Sequence, residues 1–324
     1  MLWSDRIGRR IKLRDLHVLQ AVLEAGSMSK AAEQLAVSVP VVSKAIADLE
    51  HTVGVRLLDR SPQGVEATVY GRALLNRSRA AFDELKQGVN EIEFLADPTA
   101  GEVCVGTTLP LAASFVSAVI DRLSRRYPRI VFHVLATDSE TLYRSLRERK
   151  VDFLIARKWG PFTDEQLAFE ALYNDPYVVA AGATNRWVGR RRIKLAELIG
   201  ELWVLPPPDS LVGSFLLEAF RASRLDLPRA TVFTFPPEVH NSLLATGRFL
   251  AVLNSSALRF PIKHPFIKAL DVELPMSAGP IGIVSWKART LHPVAELFLD
   301  YARQVAKTMR TANSNPSRAS LRRA

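Results

Sequence analysis

The chain has 324 residues, 48% of them hydrophobic, with a formal net charge of +10 and one cysteine. That length suits two or three folded domains, the composition is too apolar for a disordered chain, and no apolar run reaches the roughly 18 residues of a membrane span. Cys104 alone excludes an internal disulfide framework and a multi-cysteine zinc site, and the opening MLWSDRIGRRIKLRDL lacks the apolar stretch of a secretory signal, so a cytoplasmic protein is expected.

The positive charge suits a polyanionic partner, but its distribution matters more than its total. Residues 1–80 carry 12 Lys and Arg against 8 Asp and Glu, and residues 81–97 reverse this with 1 against 5. Residues 171–324 hold 20 against 11. DNA binding must therefore be argued from where particular residues fall.

Leu13 to Glu24 predicts a first helix: Leu16, Leu19 and Leu23 recur at three and four, and Gly26 stops it. Ser29 is a candidate cap for a short second helix, SKAAEQLA, ending by Val37. Ser38 is the candidate cap of a third, VPVVSKAIADLEH, with Pro40 in its first turn. On that third helix Val42, Ile46 and Leu49 share a core face. Val39, Pro40, Ser43, Lys44 and Ala47 fall near the other face. Three helices with a tight turn between the last two predict a helix-turn-helix, although a plain helical bundle has the same pattern.

Val55 to Leu58 and Val65 to Ala67, joined by the turn signal SPQG, predict the two short strands of a wing, with Arg60 beside it for a phosphate. Thr68 then caps a long helix to about Ala96. Its Leu75, Ser78, Phe82, Leu85, Val89, Ile92 and Ala96 alternate at three and four. That is a coiled-coil seam, with Phe82, Leu85, Val89 and Ile92 as the expected dimer contacts. A helix lying on its own domain is the alternative.

From Gly101 the pattern becomes β-α-β-α-β: GEVCVGTT, LPLAASFVSAVIDRLSRRY, IVFHVLA, SETLYRSLRERK, VDFLIAR. A mostly parallel sheet with helices on both faces is expected. Strands follow at 177–181, 202–205, 230–235, 249–253 and 280–285, with helices at 211–224, 239–246 and 291–309. Gly106-Thr107-Thr108 follows a strand without a phosphate-binding fingerprint, the six histidines are scattered, and no catalytic triad or metal spacing stands out. No enzyme is expected.

The run LRDLHVLQAVLEAGSMSKAAEQLAVSVPVVSKAIADLEHTVGVRLLDRSPQGVEATVYGRALL resembles the LysR-type transcriptional regulator family over roughly 60 residues without a gap. The family's usual third helix opens Ser-Gln-Pro, whereas this chain has Ser38-Val39-Pro40. Val39 offers a base only apolar contact, for instance with a thymine methyl. The resemblance implies Ser29 and Lys30 as backbone-contacting residues, Ser43 and Lys44 in the major groove, and Arg60 on the wing. It also implies an α/β effector-binding domain of two subdomains, resembling periplasmic binding proteins. The N-terminal half most resembles family members that respond to sugars.

The expected domains are a winged helix-turn-helix at 8–68, a linker helix at 69–97 and an effector-binding domain at 98–310. Subdomain I covers 98–165 and 272–310, subdomain II covers 166–271, and crossovers fall near 160–170 and 262–275. A disordered basic tail follows at 311–324. The effector, a sugar or small carboxylate, is expected in the cleft between subdomains, at Thr107, Thr108, Ser139, Ser210, His240 and Asn241. For Thr107, Ser139 and Ser210, helix capping alone is the competing explanation. The expected partners are double-stranded promoter or operator DNA, the effector, a homodimer or homotetramer of the chain, and RNA polymerase. No cofactor, metal or membrane partner is expected. A regulator that binds DNA without any effector, a hidden enzyme and a solute-binding protein are the alternatives.

Overall fold

The computed structural model describes residues 10–61, 64–158, 164–228, 231–258, 266–275 and 279–313. It divides into two compact units, residues 1–88 and 89–324.

In the first unit, helix α1 (Leu13–Ala25) ends at Gly26, whose φ of 64° is the left-handed turn that glycine adopts without a Cβ penalty. Helix α2 (Met28–Gln34) follows at once. Its cap is Ser27, not Ser29: the backbone is extended at Ser27 and already helical at Met28, which leaves Ser29 inside the first turn. Helix α3 (Val39–Val53) begins after Ser38 with Pro40 in its first turn, where a missing N–H costs no helical bond. Val42, Ile46 and Leu49 are fully buried, and Ala31 and Ala32 let α2 pack closely. Burying each large aliphatic side chain contributes about 1.5–3 kcal/mol, so this small core rests on few residues.

The wing pairs β1 (Leu58–Ser61) with β2 (Gly64–Ala67), antiparallel, Arg60 opposite Val65. The first strand thus starts at Leu58 and not at Val55. Leu57 and Leu58 are buried, and their N–H groups donate to the Glu50 carboxylate at 2.7 and 3.2 Å. With its N–H on Glu50, Leu57 has no donor left for a partner strand, and the ladder begins one residue on. Helix α4 (Val69–Ala96) is capped by the Thr68 hydroxyl, which accepts from Gly71 N at 3.0 Å. Gly71 is required: a Cβ there would sit 2.0 Å from the Leu57 carbonyl oxygen.

The second unit contains two five-stranded sheets. The first is built from β3 (Ala100–Thr107), β4 (Arg129–Ala136), β5 (Phe153–Arg157), β6 (Leu167–Tyr173) and β12 (Ile281–Trp286), in the order β4-β3-β5-β12-β6. The second is built from β7 (Tyr177–Gly182), β8 (Leu202–Leu205), β9 (Thr231–Phe233), β10 (Phe249–Asn254) and β11 (Ile267–Ala269), in the order β11-β7-β10-β8-β9. Both are mixed rather than mostly parallel. β12 runs antiparallel to β5 and β6, and β7 runs antiparallel to β10 and β11. Because β6 pairs with β12, the chain leaves the first sheet after Tyr173, later than the expected crossover at 160–170. Residues 160–163 of that expected crossover and 262–265 of the second lie outside the described residues.

On one face of the first sheet, Phe115, Val119 and Leu123 meet Phe298 and Ala302; on the other, Leu142 and Leu146 cover Leu154. Phe115 belongs to the helical turn Ala112–Val116 that leads into α5 (Ser117–Ser124), and the other helical residues lie on α5, α6 (Ser139–Arg147) and α9 (Pro293–Asn313). α9 continues through 311–313, which were expected to open the tail; residues 314–324 are not described. In the second sheet, Leu216 and Phe220 of α7 (Leu211–Ala222) bury Trp203, and Leu244 of α8 (Pro237–Ala245) covers Val204 and Ala251.

One buried ion cluster ties α9 to the first sheet. The Asp152 carboxylate accepts from Cys104 N at 2.8 Å and Arg289 Nη2 at 3.0 Å, and lies 3.3 Å from His292 Nε2. His292 Nδ1 accepts from Ala295 N, so the ring caps α9 and its Nε2 carries the proton. Burial alone would raise the Asp152 carboxyl, but these donors and the Arg289 charge hold it below the usual carboxylate range.

Candidate functional site

In the first unit, helix-turn-helix geometry leaves one face of α3 uncovered. Val39 is 42% exposed, Pro40 and Lys44 are exposed, and Ser43 is half-buried. Ser29 and Lys30 are exposed in the first turn of α2, and Arg60 is exposed on the wing. All seven expected DNA-contacting residues therefore reach the surface of the unit, four of them within residues 39–44 of α3. Along α4, Leu85, Val89 and Ile92 are exposed, and so is Leu95 one turn beyond. Phe82 departs from that stripe: it packs on the helix-turn-helix core, its ring 6.0 Å from that of His17.

In the second unit, a cleft of about 600 Å³ opens between the two sheets. From the first sheet come Thr108, the Leu109–Leu111 helical turn, residues 136–140, Arg157 and Ile281; from the second come Tyr177, Ser210, Leu211, Val212, Phe235 and Asn254. Two helices of full length, α6 and α7, start at its wall. The first N–H groups of a helix lack intrahelical acceptors and so favour an oxygen-rich ligand.

The expected effector residues divide three ways. Thr108, Ser139 and Ser210 line this cleft. Ser210 already has partners: its hydroxyl donates to the Pro207 carbonyl at 2.6 Å and accepts from Gly213 N at 3.0 Å. Ser139 is not the cap of its helix; Asp138 is, accepting from Thr141 N at 2.9 Å. His240 and Asn241 line a smaller adjoining cavity of about 120 Å³. Thr107 reaches neither: it is fully buried and donates to the Ile155 carbonyl across the sheet at 2.8 Å.

Arg157, Tyr177 and Asn254 were missed. Arg157 ends a strand that is buried throughout, where sequence pattern marks only core. Its guanidinium donates to the Gly279 and Asp175 carbonyls at 2.7 Å each and lies 4.7 Å from the Tyr177 ring centroid. Asp175 in turn accepts from Ser256 Oγ at 2.6 Å and Ser256 N at 2.9 Å. Arg157 thus joins the chain at both passages between the sheets, beside the cleft.

Sequence comparison places these two surfaces in one protein family. The description "Bacterial regulatory helix-turn-helix protein, lysR family" matches residues 13–72, and "LysR substrate binding domain" matches residues 96–307. The HTH-type transcriptional regulator GbpR of Azospirillum brasilense is 30% identical over 320 residues, covering 95% of this chain and 90% of that protein. TdcA of Escherichia coli strain K12 is 27% identical over 242 residues, covering 75% and 77%. Among solved structures, a full-length OxyR variant from Pseudomonas aeruginosa has a TM-score of 0.67 at 22% identity, covering 92% of this chain and 97% of that one. Full-length CbnR complexed with its target DNA has a TM-score of 0.51 at 20% identity, covering 91% and 100%. The last two are likenesses of fold. Among the described residues no helix is long and apolar enough to cross a membrane. The chain belongs to the LysR family of bacterial helix-turn-helix transcriptional regulators, DNA-binding proteins that answer a small-molecule effector.

Proposed function

We propose that the 600 Å³ cleft is where this regulator takes its effector, and that Thr108 is a direct contact. The observation that carries the reading is the cleft itself: two α/β lobes enclose it, two helix N-termini open on it, and Thr108 has no side-chain capping bond to occupy its hydroxyl. Oxygen atoms of a small carboxylate or a sugar suit such walls. Ser139 supplies a second hydroxyl, while Ser210 contributes mainly by holding α7 in place. On the DNA side, Ser43 and Lys44 enter the major groove, with Val39 and Pro40 in apolar contact. Ser29, Lys30 and Arg60 take phosphates.

Leu85, Val89 and Ile92 of α4 pair two copies of the chain, as a homodimer or as half of a homotetramer. RNA polymerase at the promoter and a cytoplasmic location complete the reading. The test is a screen of small metabolites for a rise in the thermal stability of the full chain, followed by calorimetry of any hit against Thr108→Val. One hydrogen bond contributes about 0.5–1.5 kcal/mol net, so the variant should bind roughly twofold to tenfold more weakly. Equal affinity would place the effector elsewhere.

A further inference from the structure

Resting on the cleft reading above, we propose that the effector is amphiphilic. A polar head occupies the large cleft, and an apolar group bearing one hydrogen-bond donor enters the adjoining cavity and meets His240.

The two cavities share Pro110, Tyr177, Val212, Phe235 and Asn254, so they form one site with two chambers. The smaller one has mostly apolar walls, among them Pro206, Phe235, Val252, Leu258 and Ile267. Apolar walls favour an apolar group over water. A ligand with hydroxyls all round, such as a sugar, would leave several of them without partners there.

His240 specifies the rest. It is 7% exposed, and its Nδ1 lies 3.0 Å from the Pro236 carbonyl. A carbonyl only accepts, so Nδ1 carries the proton and Nε2 of the neutral ring is an acceptor. Among the described residues no donor is placed to reach Nε2. This nitrogen is open to the cavity rather than sealed in the core, so a group that displaces water from it must bring a donor or leave it unpaired. The group it waits for is a donor: a hydroxyl or N–H, not a carboxylate. Asn254 repeats the pattern at the junction of the chambers. It is buried, it belongs to both walls, and no described residue bonds its side-chain amide. An amide both donates and accepts, so it suits a polar atom between head and tail.

Calorimetry on the full chain with three probes tests this: para-hydroxyphenylacetate, phenylacetate and gluconate. The first has head, apolar ring and terminal donor; the second lacks the donor; the third lacks the apolar part. We expect para-hydroxyphenylacetate to bind about tenfold more tightly than phenylacetate, and gluconate to bind more weakly than both. In His240→Leu the preference for the hydroxyl should vanish while phenylacetate binding persists. Ala113→Leu, on an exposed helical position of the small chamber wall, keeps the test open if that variant fails to fold. It should weaken both aryl acids and spare gluconate. Gluconate binding as tightly as the hydroxyaryl acid and depending on Thr108 would overturn the two-chamber inference and leave the cleft reading standing. A hydroxyl preference that survives in His240→Leu would also overturn it. Binding of none of the three would overturn it as well, and the metabolite screen would then decide the cleft reading by itself.

Discussion

Glu50 holds the wing of the DNA-binding unit. Its single Oε1 accepts the N–H groups of Leu57 and Leu58, at 2.7 and 3.2 Å, where the chain turns from α3 toward β1. Both leucines are nearly fully buried, so the donors have few alternative partners. Replacing Glu50 by Ala removes two charge-assisted bonds, and a stranded buried donor costs about 1–3 kcal/mol. The site is only partly enclosed, so water can serve one of the two donors. The net cost should be about 2 kcal/mol, or roughly a thirtyfold rise in local opening. Glu50→Gln keeps the accepting oxygen and should recover most of it. Hydrogen exchange resolved to peptides spanning residues 55–68 of the full chain reads this directly. Unchanged protection in Glu50→Ala would refute the assignment, as would a Gln variant as labile as the Ala variant.

The double substitution Ser43→Ala, Lys44→Ala should weaken binding to a footprinted operator about tenfold at fixed salt without changing thermal stability, because both sit outside the core of α3; unchanged affinity in a gel-shift titration counts against the reading face. Leu85→Asp with Val89→Asp should abolish association through α4 in sedimentation of the full chain at low concentration, and a species as large as the parent would mean another surface assembles the protein. His240 predicts a pH dependence. Burial lowers its imidazole from the ordinary value of 6.5, outweighing the Pro236 carbonyl that favours protonation, so the folded ring stays neutral while the unfolded ring takes up a proton. Its contribution to stability is complete above about pH 6.5 and declines as pH falls toward the lower folded value. Urea midpoints measured from pH 7.5 to 5 should therefore fall less steeply in His240→Gln than in the parent, and identical slopes would contradict the assignment.

What the sequence made legible was whatever repeats. The faces of α3 follow from spacings of three and four, and Val42, Ile46 and Leu49 are the fully buried residues that this spacing marks. Local chemistry was read well where it stayed local, as at Thr68; Ser38 holds the expected N-cap position of α3 but makes no side-chain capping bond. It failed where a distant group intervened. Glu50 takes the Leu57 donor just before β1, and only the folded chain brings it there. Ser27 displaced Ser29 as the cap position because Gly26 ends α1 so abruptly that α2 already starts at Met28. Strand β6, LAFEALY, has too little alternation to announce itself, and its place beside β12 depends on a partner more than a hundred residues away. In the cleft, strand-end position identified Thr108, Ser139 and Ser210, but not which hydroxyls were already bonded. Thr107 lies one residue before Thr108 and on the other side of the pleat, so its hydroxyl faces Ile155. Arg157 had no local signal at all; its role comes from Gly279 and Asp175, brought together only by the two passages between sheets.

The central claim is that one chain separates DNA reading from ligand sensing, with the cleft as the sensor. Transcription from a promoter carrying the footprinted operator, measured with purified components, tests it most directly. The parent is compared with Thr108→Tyr, a side chain large enough to intrude on the cleft, with and without the metabolite found in the thermal screen. Footprinting on the same template monitors occupancy. The variant should protect the operator as the parent does and no longer change its transcription when the metabolite is added. A variant that responds like the parent, or one that loses the operator while remaining folded, would contradict it.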